Sequence, residues 1–239
     1  MTTTVNHDWP EQLTFPGQTA AHPGPVDMMM MYVMHHGFRR DLAAFAAAAQ
    51  ATPVDARSTW RALAERWGLF AEVLHHHHAG EDAGLWPALV ERSDEDGRRV
   101  LAAMEAEHGE IDPILSACAS GFERLAAHAD DDARAALAVR LCAAKESLGR
   151  HLRHEETEAI AIMQQVLTQE EWLQIEETHF KKDLAFGTLL AMVPWCAHGV
   201  PAPLRRTVFG KTGRANHILW LLTRSAFAKR ERLAFRYVD

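Results

Sequence analysis

The 239 residues suffice for one large domain, or for a domain with an extension, and a hydrophobic content of 48% suffices for a core. No apolar run is long enough to span a membrane, Met1 to Pro25 lacks a basic stretch leading into an apolar one, and three cysteines (Cys118, Cys142, Cys196) without metal-ligand spacing read as buried thiols, so the chain is expected to be cytoplasmic. The net charge of −7 is uneven: residues 199–239 hold nine Lys/Arg against Glu231 and Asp239, a net of +7 that leaves −14 on the remainder.

Alanine- and leucine-rich runs with few β-branched alternations predict an all-α protein. Residues 1–26 mix Thr, Pro and Gly and read as an irregular lead-in. Asp27 is placed to cap a first helix running to about Gln50, before the Thr52-Pro53 break. A second helix starts near Asp55 and turns Trp60, Leu63, Trp67, Phe70 and Leu74 inward; Gly80, Gly84 and Pro87 blur its end. A third follows Ser93-Asp94 with Leu101, Met104, Ile111, Leu115 and Phe122 on one stripe, Pro113 marking a kink. The fourth follows Asp130–Asp132 and shows Leu137, Leu141, Leu148, Ile162 and Val166.

Four long helices with short turns over 27–167 imply an up-down-up-down four-helix bundle. Thr168 and Glu171 form a capping box opening a further helix from Gln169 to about Met192. Pro194, Gly199, Pro201 and Pro203 then break the chain before a last amphipathic helix over 214–234. Residues 168–239 thus form a C-terminal helical extension, expected to pack on the bundle. Its basic charge either neutralises the acidic body, covers one bundle end or meets a partner.

Fifteen histidines exceed what any one site uses, so helical phase must select among them. On the first helix, Met28, Tyr32, His35, Phe38, Leu42 and Phe45 share a face, whereas His36 falls in the row of Met29, Arg40 and Ala43. On the second, the apolar row continues through His77 and Glu81 to Leu85. His75, His76 and His78 lie off that row and read as solvated or as neighbours of the site. On the third helix His108 is in phase, and on the fourth so are His151 and Glu155. His154 and Glu158 repeat the spacing but share a face with Ser147 and Arg150, which places them on the surface.

A single in-phase histidine is more often a hydrogen-bonded core residue than a ligand. Six coincident positions on four helices are another matter, because unpaired buried carboxylates and imidazoles cost several kcal/mol each. The spacing His-x-x-x-Glu, present twice among these six, sets both groups on one helix face a turn apart. His35, His77, Glu81, His108, His151 and Glu155 therefore read as a two-metal site. Two carboxylates can bridge two ions and four imidazoles supply two nitrogens to each. Imidazole and carboxylate without thiolate suit iron ahead of manganese or zinc, with an oxo or hydroxo bridge balancing a ferric pair. Tyr32, one turn before His35, stands either as a packed core residue or as a residue close to the metals. Asp82, Glu105 and Asp112 are candidates to orient the imidazoles, though an ordinary surface charge suits Asp82 slightly better.

The segment His35-His36-Gly37-Phe38-Arg39-Arg40-Asp41-Leu42, the stretch from His77 through Glu81 and Asp82 to Leu85-Trp86-Pro87, His108, and His151 with Glu155 resemble the hemerythrin-like (HHE cation-binding) superfamily over roughly residues 27–167. Within it, the actinobacterial type with His, His-x-x-x-Glu, His and His-x-x-x-Glu is most similar. The resemblance implies a four-helix bundle with a non-haem di-iron centre. Oxygen-carrying hemerythrins use five histidines, a Glu and an Asp; here the residue four after His108 is Asp112, and position 156 is Glu156 rather than Asp. Fewer imidazoles imply more open metals and favour redox chemistry with oxygen, peroxide or nitric oxide over simple oxygen carriage.

A ferritin-like alternative, with Glu105–His108 and Glu176–His179 as Glu-x-x-His pairs, leaves His35, His77 and His151 without a role. Three functional classes follow: a di-iron oxidoreductase, favoured here; an oxygen or iron store or sensor without turnover; and an interaction protein stapled by metal. The expected partner is dioxygen, peroxide or another small molecule. Aromatic residues among the tail's arginines hint at nucleic acid, but the acidic body argues against it.

Overall fold

The computed structural model describes residues 8–182 and 186–238, which are helical with no strand among them. Residues 1–7 of the lead-in and the middle of the helix expected over 169–192 lie outside the described residues. Four long helices form the bundle. They are α1 (Met29–Ala51), α2 (Arg57–Gly80), α3 (Glu95–Ala127) and α4 (Asp131–His154). Glu81–Leu85 and Trp86–Val90 carry α2 onward, and Glu155–Ala159 and Ile160–Val166 carry α4 onward, so neither Gly84 nor Pro87 ends its helix. The starts of α3 and α4 are fixed by side-chain caps: Asp94 accepts from the Gly97 amide at 2.9 Å and Asp130 from Ala133 at 2.8 Å. Pro113 lies inside α3 without ending it.

The apolar stripes meet in two layers. One packs Phe45, Trp60, Trp67, Phe70 and Phe122. The other, at the opposite end of the same helices, packs Tyr32, Leu85, Trp86, Met104 and Ile160. The residues between these layers, at one level on all four helices, are the polar ones. On the outer face, Cys142 is exposed, unlike Cys118, contrary to its expected burial.

After Thr168, whose capping box with Glu171 is formed, come α5 (Gln169–Ile175), a wider turn over Glu176–Phe180, α6 (Phe186–Ala197), α7 (Ala202–Thr212) and α8 (Arg214–Ala234). Two expected breaks are helical instead. Pro194 sits inside α6, and α7 opens with Pro203 in its first turn, where a missing N–H costs nothing. α8 packs on α2 and α6 rather than over a bundle end.

The extension is tied to the bundle by a buried carboxylate. Asp41 of α1 accepts from Arg40 at 2.7 Å, from Arg66 of α2 at 2.7 Å and from the Trp195 indole of α6 at 2.6 Å. Arg66 also donates to Glu231 of α8 at 2.5 Å. The Trp195 ring rests against Gly37, where a β-carbon would come within 2.6 Å of it. None of the described helices is long and apolar enough to cross a membrane.

Burial presses the Asp41 carboxyl upward, but Arg40 and Arg66 outweigh it and hold it below the usual carboxylate range. A group depressed on folding stabilises above its unfolded pKa, so this contribution is lost as the pH falls below about 4. Asp41→Ala should destabilise the protein by about 3–5 kcal/mol in urea titrations at pH 7, because it leaves the buried Arg66 with Glu231 alone and the Trp195 indole without its acceptor, and by less at pH 3. Equal loss at both pH values would show that the carboxylate charge does not hold the extension.

Candidate metal centre

Between the two apolar layers, α1 contributes His35, α2 contributes His77, His78 and Glu81, α3 contributes His108, and α4 contributes His151 and Glu155; all seven are at least 97% buried. Their donor atoms fall into two groups, in each of which they lie within 4.8 Å of one another. One is His35, His77, Glu81 and Glu155; the other is His78, Glu81, His108 and His151. Glu81 belongs to both.

Local backbone makes this possible. A π-turn, in which the carbonyl bonds five residues ahead, begins at each glutamate: Trp86 donates to the Glu81 carbonyl and Ile160 to that of Glu155. The extra residue shifts the helix face beyond it, and such turns recur at functional sites. On α4 the shift buries Ile160 and Met163, where an unbroken helix would bury Ile162 and Val166, and it turns both Glu155 and Glu156 inward.

The imidazoles are held from behind. His108 Nδ1 meets Asp82 at 2.8 Å, His151 Nδ1 meets Glu107 at 2.9 Å, and His35 Nδ1 meets Glu156 at 3.0 Å. Glu156 is itself clamped by both guanidinium nitrogens of Arg39 (2.7 and 2.9 Å) and by the Thr19 amide (2.7 Å). With each Nδ1–H donated to a carboxylate, the Nε2 atoms point inward, and in the neutral rings of His108 and His151 their lone pairs face each other at 3.2 Å. His78 stacks on His108 with ring centroids 3.9 Å apart.

Two facing lone pairs repel unless a cation lies between them. The same holds for the rest of the cluster. His35 Nε2, His77 Nε2, both nitrogens of His78 and all four oxygens of Glu81 and Glu155 are buried with no hydrogen-bond partner among the described residues. Several approach one another closely, as His35 Nε2 does Glu155 at 3.1 Å and His77 Nε2 does Glu81 at 3.2 Å, but without hydrogen-bond alignment. Converging, dry and unpaired donors are what metal ions require.

Electrostatics agree. Burial and then neighbouring imidazoles push His77 and His78 well below the ordinary histidine pKa, leaving them neutral and able to bind metal. His35 differs: burial opposes its charge, but Glu155 and Glu156 lift it to about 9. Burial and the Glu155 charge drive Glu81 well above the carboxylate range, whereas His35 overcomes burial to hold Glu155 ionised. A cation at this point would favour the ionised form of Glu81 and oppose that shift.

A model of the hemerythrin HHE cation-binding domain matches residues 29–162, more than half of the chain. The chain belongs to this family. No curated protein and no solved structure matches it. The HHE domain accounts for the metal-binding character of the polar layer, and it spans the whole of that layer from His35 to Glu155.

In the HHE domain of this chain the six positions selected by phase come together, and a seventh joins them. His78 is buried at the centre rather than solvated, because the buried stripe of α2 is two residues wide at this level, as it is at Val73 and Leu74. Glu107 and Glu156 carry no periodicity signal, since each contacts an imidazole of another helix. Asp82, read as an ordinary surface charge, reaches His108. Asp112 and Glu105 are exposed, so neither holds that imidazole. Tyr32 is buried; its hydroxyl lies near the His22 backbone without a hydrogen bond of ordinary geometry, and burial, then the Glu156 charge, raises its pKa. His36 lies buried against Phe15, His75 is exposed, His76 meets the Phe180 carbonyl at 2.7 Å, and the half-buried His154 shares Glu107 with His151.

Glu156→Gln removes the charge that holds His35 and Arg39. It should weaken metal retention against a chelator by about 10–100-fold. Retention equal to wild type, with a lower melting temperature, would reduce Glu156 to a structural anchor.

Proposed function

We propose that the polar layer holds two iron ions bridged by Glu81 and serves redox chemistry with dioxygen or peroxide. The observation that carries this reading is the membership of Glu81 in both donor groups, beside two Nε2 lone pairs that face each other. When bound, an iron pair supplies the electrons for oxygen or peroxide chemistry. Iron suits a set of imidazoles and carboxylates without a thiolate.

The two groups are unequal. His35 and His77 with two carboxylates form one side, and His78, His108 and His151 with Glu81 form the other. Each side has four donors, and they differ in kind, with two imidazoles on one and three on the other. His77, on the side with two, also lines a cavity, which supports access of a small molecule there. The chain's own work is to hold His35, His108 and His151 each in one orientation through Glu156, Asp82 and Glu107, to keep water out with Phe38 and Phe180 against His77, and to keep Glu155 ionised beside His35.

His78 favours a second reading. It brings the converging imidazoles to five, the number used by the oxygen carriers, so imidazole count no longer argues against reversible oxygen binding or sensing. Mixing the ferrous protein with dioxygen separates the two. Irreversible oxidation with turnover of peroxide supports the redox reading. Uptake followed by release of intact dioxygen under vacuum supports carriage.

Protein reconstituted with ferrous iron is expected to hold about two ions per chain, one for each donor group. Glu81→Ala should lose both, since both groups share it, whereas His78→Ala should retain about one. One ion per chain in the wild type, or two in Glu81→Ala, would overturn the bridged di-iron reading.

A further inference from the structure

A cavity of about 580 Å³ separates the bundle from the extension, walled by α1 and α2 on one side and by α5 with its wider turn, α6 and α7 on the other. Protein interiors are close-packed, and voids beyond the size of a water molecule are few and small. This one has the size of a small-molecule site, which typically runs to about 300–1,000 Å³, mostly apolar with a few placed polar groups.

Its apolar surface is rich in flexible sulfur side chains. Five of the nine methionines line it: Met29, Met30, Met31, Met34 and Met192. Such surfaces are soft and polarizable and adapt to apolar guests of differing shape. Val73, Val193 and Cys196 complete the apolar part, with Cys196 Sγ 3.8 Å from the Met34 sulfur.

The polar groups of the wall include an ion pair, Lys211 to Asp27 at 2.6 Å, beside Gln169, which accepts from the Asp27 amide at 2.6 Å. His77 lines the cavity as well, so it abuts the polar layer of the bundle. The wall therefore offers a wide apolar surface, a group of hydrogen-bonding side chains at Asp27, Gln169 and Lys211, the further charges of Glu176, Lys181 and Arg205, and contact with the proposed centre through His77.

We infer that this cavity binds an elongated organic molecule with an apolar body and one polar end, and brings it alongside His77. Binding depends on the cavity alone; that the bound molecule meets a redox centre rests on the di-iron reading above. The extension is what makes the site, since three of its helices supply one whole wall.

The test uses the full chain loaded with iron and the neutral fluorophore N-phenyl-1-naphthylamine. One saturable site per chain is expected, with dodecanoate or dodecanol displacing the probe. Met30→Trp and Val193→Trp fill the cavity from opposite walls, and each should weaken probe binding by about tenfold or more. Iron content and melting temperature of both variants are measured on the same samples, and a variant that does not fold is replaced by the other.

Non-saturable binding, displacement by neither competitor, or undiminished binding in the folded variants would overturn the inference. Iron present at wild-type level with no probe bound would sink the cavity alone. Probe bound with no iron retained would instead sink the di-iron reading and leave the cavity standing.

Discussion

Burying five imidazoles and two carboxylates in a single layer is the constraint on which this protein turns. Unpaired, such groups cost several kcal/mol each to remove from water. Here most of their inward-facing atoms have no protein partner, and cations bound among them would satisfy them. The apolar layers on either side enforce this, because Phe70 and Leu74 below and Leu85 and Met104 above exclude the water that would otherwise solvate the donors. Metal bound here would therefore contribute to the stability of the fold at this level of the bundle.

The same groups stitch the helices together. Glu156 of α4 holds His35 of α1, Asp82 beyond α2 holds His108 of α3, and Glu107 of α3 holds His151 of α4. Each tie fixes a ring tautomer and at the same time sets the register of two helices. Glu156 also draws in the segment before α1 through Thr19, so the lead-in becomes part of the support for His35.

The extension follows a different logic. It settles on the bundle where small residues admit large ones: Trp195 lies over Gly37, Phe180 over Gly80 and His179 over Gly84. The first contact is locked by the Asp41 network, and the other two bring the turn after α5 against the helix that carries His77 and Glu81. Its basic residues contribute less than their number suggests. Lys211 pairs with Asp27, but the link from α8 to α2 runs through the acidic Glu231.

The sequence by itself determined the helical class, the helix starts after Asp94 and near Asp130, the capping box at Thr168, and the convergence of His35, His77, Glu81, His108, His151 and Glu155. All of these follow from spacing within one helix, where a 3.6-residue period assigns each side chain to a face. Only the tertiary structure decided His78, Glu156, Glu107 and the role of Asp82. Two π-turns break the period just where the glutamates sit, and the stripe of α2 is two residues wide there. The remaining partners lie on other helices, at sequence separations no local pattern encodes. The cavity is likewise a product of assembly, since its walls come from segments far apart in sequence, 27–77 and 169–216, and exist only once the extension has closed over α1.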